Sequence, residues 1–372
     1  MKVPFSDISL QHKELRKEIK RSIDTVIKRG DFILGKEVAE FEEEFARFCR
    51  VPYAVGVSSG TAALFLALKS LDVKKGDEVI VPAFTFIATA LAVSYTGARP
   101  VFADIEEDSY NIDAAKLKKA INKNTKAIIP VHLYGQPARM SRILEIAKTY
   151  DLKVIEDAAQ AHGAGIKMPD GRWRLAGTLG TLGCFSFYPS KNLGGLGDGG
   201  MVITRSRELY VKLAMLRDQG RVSKYDHCII GYNSRLDTLQ AAVLRVKLGK
   251  LMEWNLLRRK NAGIYSRMFK NTPVITPREL PFVRHIYHVY AVRIKNRDKV
   301  NQRLRERGVN SLIHYPIPLH LQRAYQDLGY VQGDFPVAEK VSSEIISLPM
   351  YPHLKEEQIR YVVDSVKESL DN

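Results

Sequence analysis

The sequence predicts an α/β protein. Residues 1–250 are expected to form a large domain with a mostly parallel mixed sheet, and residues 251–372 a smaller C-terminal α+β domain. Three observations predict it. The chain has 372 residues, beyond the size at which one hydrophobic core usually keeps growing, so two domains are expected. From residue 53 onward, short strand-like runs alternate with helical runs, which argues for strand–helix–strand units and a parallel sheet covered on both faces. After about residue 205 the texture shifts to charged helical segments with shorter strands between them.

The elements follow in order. YAVGVSS (53–59), EVIVPAF (78–84), RPVFADI (99–105), TKAIIPVHLYG (125–135) and LKVIEDA (152–158) read as strands. The helices between them are TAALFLALKSL (61–71), FIATALAVSYTG (86–97), AAKLKKAI (114–121) and RMSRILEIAKTY (139–150). GCFSFYP (183–189) and GMVITR (200–205) read as two further strands with a tight connection. Helical segments then run to about residue 270, and HIYHVYAVRI (285–294) is a strand candidate of the second domain.

Composition narrows the function classes. The uncharged run Val79–Ala98 is about long enough to span a bilayer. It contains Pro82, Thr85, Thr89, Ser94, Thr96 and Gly97, and splits into a strand, a turn and a short helix, so it reads as buried core. The first fifteen residues lack the apolar stretch of a signal peptide. Cys49, Cys184 and Cys228 show neither CxxC nor metal-ligand spacing, so no metal is expected and a reducing cytosol fits. The formal charge is +16. Its basic residues are scattered along stretches such as 205–221 and 301–308 as solvated helix faces, not as a stripe with interleaved aromatics. The charge therefore reads as a lysine-rich solvated surface, with a polyanionic partner such as nucleic acid or an anionic substrate as the functional alternative.

One stretch asks for an explanation: SFYPSKNLGGLGDGG (186–200), a single lysine followed by five glycines. Gly195, Gly197 and Gly200 spell GxGxxG, but a strand follows where a dinucleotide site needs a helix. Neither HRD nor DFG is present, so a kinase loop is excluded. The glycines are left with a steric role, letting backbone pass closely or turn sharply.

Two further features complete a chemistry. Asp157 sits where a buried parallel strand ends, the edge at which such sheets bind ligands; alone it is equally a helix N-cap. Ser58, Ser59, Gly60 and Thr61 form a strand-to-helix turn that offers backbone N–H groups and hydroxyls to an anion; alone it too is an ordinary cap. Together with Lys191 they match pyridoxal phosphate (PLP). That cofactor needs a lysine for its aldehyde, an acid for its pyridine nitrogen and an anion site for its phosphate.

The chain resembles the DegT/DnrJ/EryC1/StrS family of PLP-dependent nucleotide-sugar aminotransferases. The resemblance rests on SSGTAAL, PAFTFIATA, EDAAQAHGA, FSFYPSKNLGGLGDGG, GYNSRLDTLQAA and IHYPIPLHLQ, in family order and nearly end to end. It implies the fold-type-I PLP-dependent transferase fold, a cytoplasmic homodimer with shared active sites, and a place in amino-sugar biosynthesis for surface polysaccharides or glycosylated products. Position by position, it implies that Lys191 is the cofactor-bonding lysine and proton shuttle. Asp157 would pair with the pyridine nitrogen and Gln160 would approach the ring hydroxyl. Thr61, Ala62 and Ser186 would bind phosphate. Phe86 would stack on the ring, with core packing as the other reading of that residue. Asn233 would reach the phosphate from the partner subunit.

Because the lysine is present, the resemblance implies transamination, not dehydration. Glutamate would be the donor and a keto sugar on a nucleotide diphosphate, dTDP or UDP, the acceptor. IHYPIPLHLQ (313–322) resembles members that aminate C3 more than those that aminate C4. Tyr188, His314 and Tyr315 are the expected substrate groups, the last two contributed across the dimer; a rigid structural segment is their plainer reading. Amination at C4 of a 4-keto-6-deoxy sugar, or a non-catalytic regulatory protein on the same fold, are the alternatives.

Overall fold

The computed structural model describes residues 1–370. Its centre is a seven-stranded sheet in the order Tyr53–Val57, Gly200–Thr204, Leu182–Ser186, Lys153–Asp157, Thr125–Ile128, Glu78–Pro82, Arg99–Ala103. The Gly200–Thr204 strand runs antiparallel to both its neighbours, and the other pairings are parallel. Successive residues of a strand point to opposite faces, and both faces are covered here. Val79 and Val81 face the helices Gly60–Ser70, Ala88–Tyr95 and Arg207–Arg217, whereas Ile80 faces Ala114–Ala120 and Met140–Thr149. Ala54, Phe185 and Met201 pack against Lys36–Cys49 and Thr238–Leu248. Burial on both faces is why these strands read as nearly unbroken apolar runs.

The Val79–Ala98 run forms the strand Glu78–Pro82 and the helix Ala88–Tyr95, both largely buried. No helix among the described residues is long and apolar enough to cross a membrane.

The strands Leu182–Ser186 and Gly200–Thr204 pair from Leu182↔Thr204 to Ser186↔Gly200. Their connection is not the tight turn that the sequence suggested. Residues 187–199 form a crest above the sheet, closed by the bond from Phe187 N–H to the Gly199 carbonyl (2.7 Å). The glycines of the crest keep negative or extended φ, so close approach explains them, not left-handed backbone. A Cβ at Gly195 would lie 2.6 Å from Gln240 Oε1, and one at Gly200 would lie 2.3 Å from the Ser59 carbonyl oxygen.

A second apolar cluster gathers the helices Leu251–Met268, Arg297–Glu306 and Glu356–Leu370 around the antiparallel pair Tyr290–Arg293 and Ile345–Leu348. The segments interleave. Val3 belongs to this second cluster, through its bridge to Val309. Leu319, Tyr325, Phe335 and Val341 pack back on the sheet's own core. HIYHVYAVRI is a strand only over Tyr290–Arg293. Before that it bonds to a turn of the first domain, Ile286 N–H to the Gly135 carbonyl (3.1 Å) and His288 N–H to the Tyr134 carbonyl (2.8 Å).

One buried carboxylate ties the sheet to its loops. Glu156 is fully buried and accepts from four donors: His132 Nε2 (2.8 Å), and the backbone N–H groups of Gly177 (2.9 Å), Leu179 and Gly180 (both 2.6 Å). His132 Nδ1 accepts from Ala138 N–H (3.1 Å), which puts the ring proton on Nε2. Glu156→Gln keeps the side-chain size but turns an N–H₂ toward these donors. We expect a loss of about 3 kcal/mol, read as a lower urea midpoint of the apoprotein. An unchanged midpoint would show that this network adds nothing to stability.

Candidate active site

The parallel strands deliver their carboxyl ends to one edge of the sheet, and the loops leaving that edge enclose a cavity of about 350 Å³. Ser59–Thr61, Thr85–Phe86, Val131, Asp157 with Gln160, and Ser186–Lys191 each contribute lining from the loop after a different strand. His288, Val289, His314 and Tyr315 close the cavity from the C-terminal part of the chain.

Lys191 rides on the crest, fixed by its N–H bond to the Tyr188 carbonyl (2.8 Å). Its amine has no hydrogen-bond or ion-pair partner among the described residues and faces the cavity. Burial pushes its pKa down to about 8, against the opposing pull of Asp157. A substantial neutral fraction near pH 7 to 8 makes it a nucleophile and a proton carrier.

Asp157 ends its strand and is 6% exposed. Burial pushes its carboxyl pKa up, while the hydrogen bonds from Thr89 and Ala159 and the charge of Lys191 pull it back. Thr89 Oγ1 donates to Oδ2 (2.9 Å), and Ala159 N–H donates to Oδ1 (3.2 Å). No helix starts here, so a helix cap is not its role.

The helix Gly60–Ser70 points its N-terminus into the cavity. Ser59 caps it, accepting from Ala62 N–H (3.1 Å). A Cβ at Gly60 would lie 2.6 Å from Ser186 Cβ, so glycine is what lets the helix start meet that strand. Thr61 and Ser186 line the cavity. Ala62 does not, and its N–H donates to the Ser59 cap.

Gln160 Oε1 accepts from Tyr134 N–H (2.7 Å), and Nε2 donates to Tyr315 Oη (3.3 Å). Phe86 is 53% exposed at the cavity and stacks loosely with Tyr315, which excludes core packing; Phe84 holds the buried position instead. Tyr188 lines the same mouth.

His314 and Tyr315 were expected across a dimer. They line the cavity of their own chain, because Ile313, Tyr315 and Leu319 pack on the core of the central sheet. His314 Nδ1 bonds to Ser347 Oγ (2.9 Å). Burial, then Lys191, pushes its pKa down to about 4. Asn233 lies outside the cavity, exposed, with its backbone bridged to Asp218.

Thr89, Asp198 and His288 are site residues that sequence reasoning did not single out. Thr89 stands in the motif PAFTFIATA, one helical turn beyond Thr85, where it reads as a helix residue. His288 was hidden inside a strand-like run.

Comparison with known proteins fits this geometry. The model of the DegT/DnrJ/EryC1/StrS aminotransferase family matches residues 13–367. The chain belongs to that family. A pleiotropic regulatory protein of Geobacillus stearothermophilus is 46% identical over 99% of this chain and 98% of its own. A dTDP-3-amino-3,4,6-trideoxy-alpha-D-glucose transaminase of Streptomyces venezuelae is 44% identical over 99% of this chain and 96% of its own. The crystal structure of S. venezuelae DesV in complex with a ketimine intermediate superposes with a TM-score of 0.96 at 44% identity, covering 100% of this chain and 99% of that one. Relatives named for an amine at C3 act on both dTDP- and UDP-linked sugars.

This aminotransferase uses pyridoxal phosphate. Its residues fit that group: an unpartnered amine, a carboxylate in the same cavity, and a capped helix N-terminus at the cavity edge. Protein loaded with PLP and reduced with borohydride should gain the cofactor's mass on the peptide containing Lys191. Lys191→Ala should show no such adduct, and its turnover should fall by several powers of ten. Because burial disfavours the ammonium, the loading rate should rise with pH through about 8, not through the 10.5 of a free lysine. An adduct on another lysine would displace Lys191 from this role.

Proposed function

We propose that this aminotransferase moves an amino group from glutamate to C3 of a keto sugar carried on a nucleotide diphosphate, dTDP or UDP. The observation that carries the reading is one cavity holding the free Lys191 amine beside a polar but uncharged wall of Tyr188, His314 and Tyr315. Neutral hydroxyls and an imidazole held neutral at pH 7 suit sugar hydroxyls. The C3 position is supported by the transaminase relatives.

When bound, PLP supplies an electron sink for the carbon that loses its proton. The chain's own residues do the rest. As a neutral amine Lys191 Nζ would take that proton, and as the resulting ammonium it would return it to the carbon on the other side of the transferred nitrogen, two bonds away. Asp157, oriented by Thr89 and Ala159, would supply the negative charge that keeps the pyridine nitrogen protonated. Ser59, Thr61 and Ser186 would hold the phosphate at the helix start. Gln160 Nε2, with a second N–H beyond the one given to Tyr315, would reach the ring hydroxyl, and Phe86 would stack on the ring.

A dimer completes the site in this reading. Phe32, Ile33, Phe86, Tyr188, Leu196, Tyr225 and Ile230 are exposed, the last two at 84% and 90%. A second copy covering them would bring Asn233 of the partner subunit to the phosphate. We place the dimer in the cytosol, where three unpaired thiols stay reduced. A purely regulatory role, as the name of the G. stearothermophilus relative would suggest, gives no use to an unpaired amine that shares a cavity with a carboxylate.

The test is a panel of keto nucleotide sugars incubated with the loaded enzyme and glutamate, with products read by mass spectrometry and NMR. Amination of a 3-keto sugar at C3 is expected. Amination of a 4-keto-6-deoxy sugar alone would overturn the regiochemistry, and inertness toward every sugar would overturn the substrate class. The shared site has its own test. Asn233→Ala and Lys191→Ala chains, each nearly inactive, should regain activity when mixed, through hybrids with one intact site. Proven subunit exchange without recovery would mean that each site is built from one chain.

A further inference from the structure

His288 lines the cavity beside Lys191, and no role has yet been given to it. Its ring is held by a chain of amides whose direction cannot be reversed. The chain starts at the carbonyl oxygen of His162, which can only accept. Asn255 Nδ2 therefore donates to it (2.8 Å), which leaves Asn255 Oδ1 to accept from Asn192 Nδ2 (2.7 Å). Asn192 Nδ2 also reaches the Ile286 carbonyl (3.4 Å). Asn192 Oδ1 is then the group facing His288, and His288 Nδ1 must donate to it (3.1 Å). A neutral imidazole with its proton on Nδ1 has a lone pair on Nε2. Burial, then the charges of Lys191 and Arg258, hold the His288 pKa well below its ordinary value, so the ring stays neutral. Nε2 has no protein partner among the described residues.

We propose that His288 is a specificity-determining residue, whose Nε2 accepts a hydrogen bond from a hydroxyl or amide N–H on a sugar carbon next to the ketone. The proposal rests on the keto-sugar reading above. The reacting carbon must come to Lys191, so a substituent one carbon away falls at the wall that His288 shares with it. A filled cavity excludes water, and an acceptor left unpaired there opposes binding. Glutamate carries a carboxylate at the corresponding position, with no proton to donate, so His288 favours the sugar half of the reaction specifically.

The experiment follows the two half-reactions separately by the cofactor's absorbance, in wild type, His288→Gln and His288→Leu. Two acceptors are compared: a 3-keto nucleotide sugar bearing donors at C2 and C4, and its analogue deoxygenated at both. PLP loading and melting temperature first establish that each variant is folded. With the full substrate, His288→Leu should lower kcat/KM of the sugar half-reaction 10- to 100-fold and change the glutamate half-reaction less than threefold, with His288→Gln between it and wild type. With the deoxygenated substrate, His288→Leu should equal or exceed wild type, because only the wild-type Nε2 is then left as an unpaired acceptor. Equal losses in both half-reactions would show that His288 serves Lys191 or the fold, and would overturn the proposal. So would an undiminished loss with the deoxygenated substrate. If wild type aminates no sugar at all, the keto-sugar reading itself has failed, and this proposal falls with it.

Discussion

Lys191 and Asp157 share one low-dielectric cavity, and the rest of the site is arranged around that fact. Desolvation pushes both groups toward neutrality, and each one's charge opposes the shift in the other. Holding an amine there without a bonded partner requires a rigid support, which the crest 187–199 receives from two helices. Gln240 Oε1 accepts from Leu196 N–H (2.8 Å). The buried Lys247 ammonium donates to the Gly194 carbonyl, and Asn255 holds Asn192 next to the lysine. The glycines belong to this arrangement, since side chains at Gly195 and Gly197 would collide with Gln240.

Strand alternation separates structure from chemistry at adjacent residues. Glu156 and Asp157 are neighbours on one strand and point to opposite faces. Both are buried carboxylates. Glu156 has four donors from the protein, so nothing remains for it to bind. Asp157 has two donors and opens on the cavity, so its remaining acceptor capacity is available to a ligand. The number of donors already satisfied distinguishes a carboxylate that holds the fold from one that serves a site.

The sheet was legible in the sequence because its strands are buried on both faces and their apolar runs are bounded by turns. Lys191, Asp157 and the Ser59–Thr61 turn were legible because each is costly or distinctive at a strand end. What escaped reading depends on contacts distant in sequence. The crest looked like a tight turn, because its supports Gln240, Lys247 and Asn255 lie some 40 to 60 residues further on. HIYHVYAVRI has strand-like composition, yet Ile286 and His288 bond to the 134–135 turn, which no local pattern announces. The same limit applies to His314 and Tyr315: periodicity does not say whether a segment returns to its own domain or crosses to a partner. The interleaving of Val3 with the C-terminal cluster is equally non-local.

The central claim is that Asp157 and Lys191 feel each other's charge across the cavity. The most direct measurement is the pH dependence of reductive methylation at Lys191 in the apoprotein, quantified by mass spectrometry, in wild type and in Asp157→Asn. Removing the carboxylate removes the one influence that raises the amine's pKa against burial. The midpoint should therefore fall below the wild-type value of about 8. The same midpoint in both proteins would contradict the account.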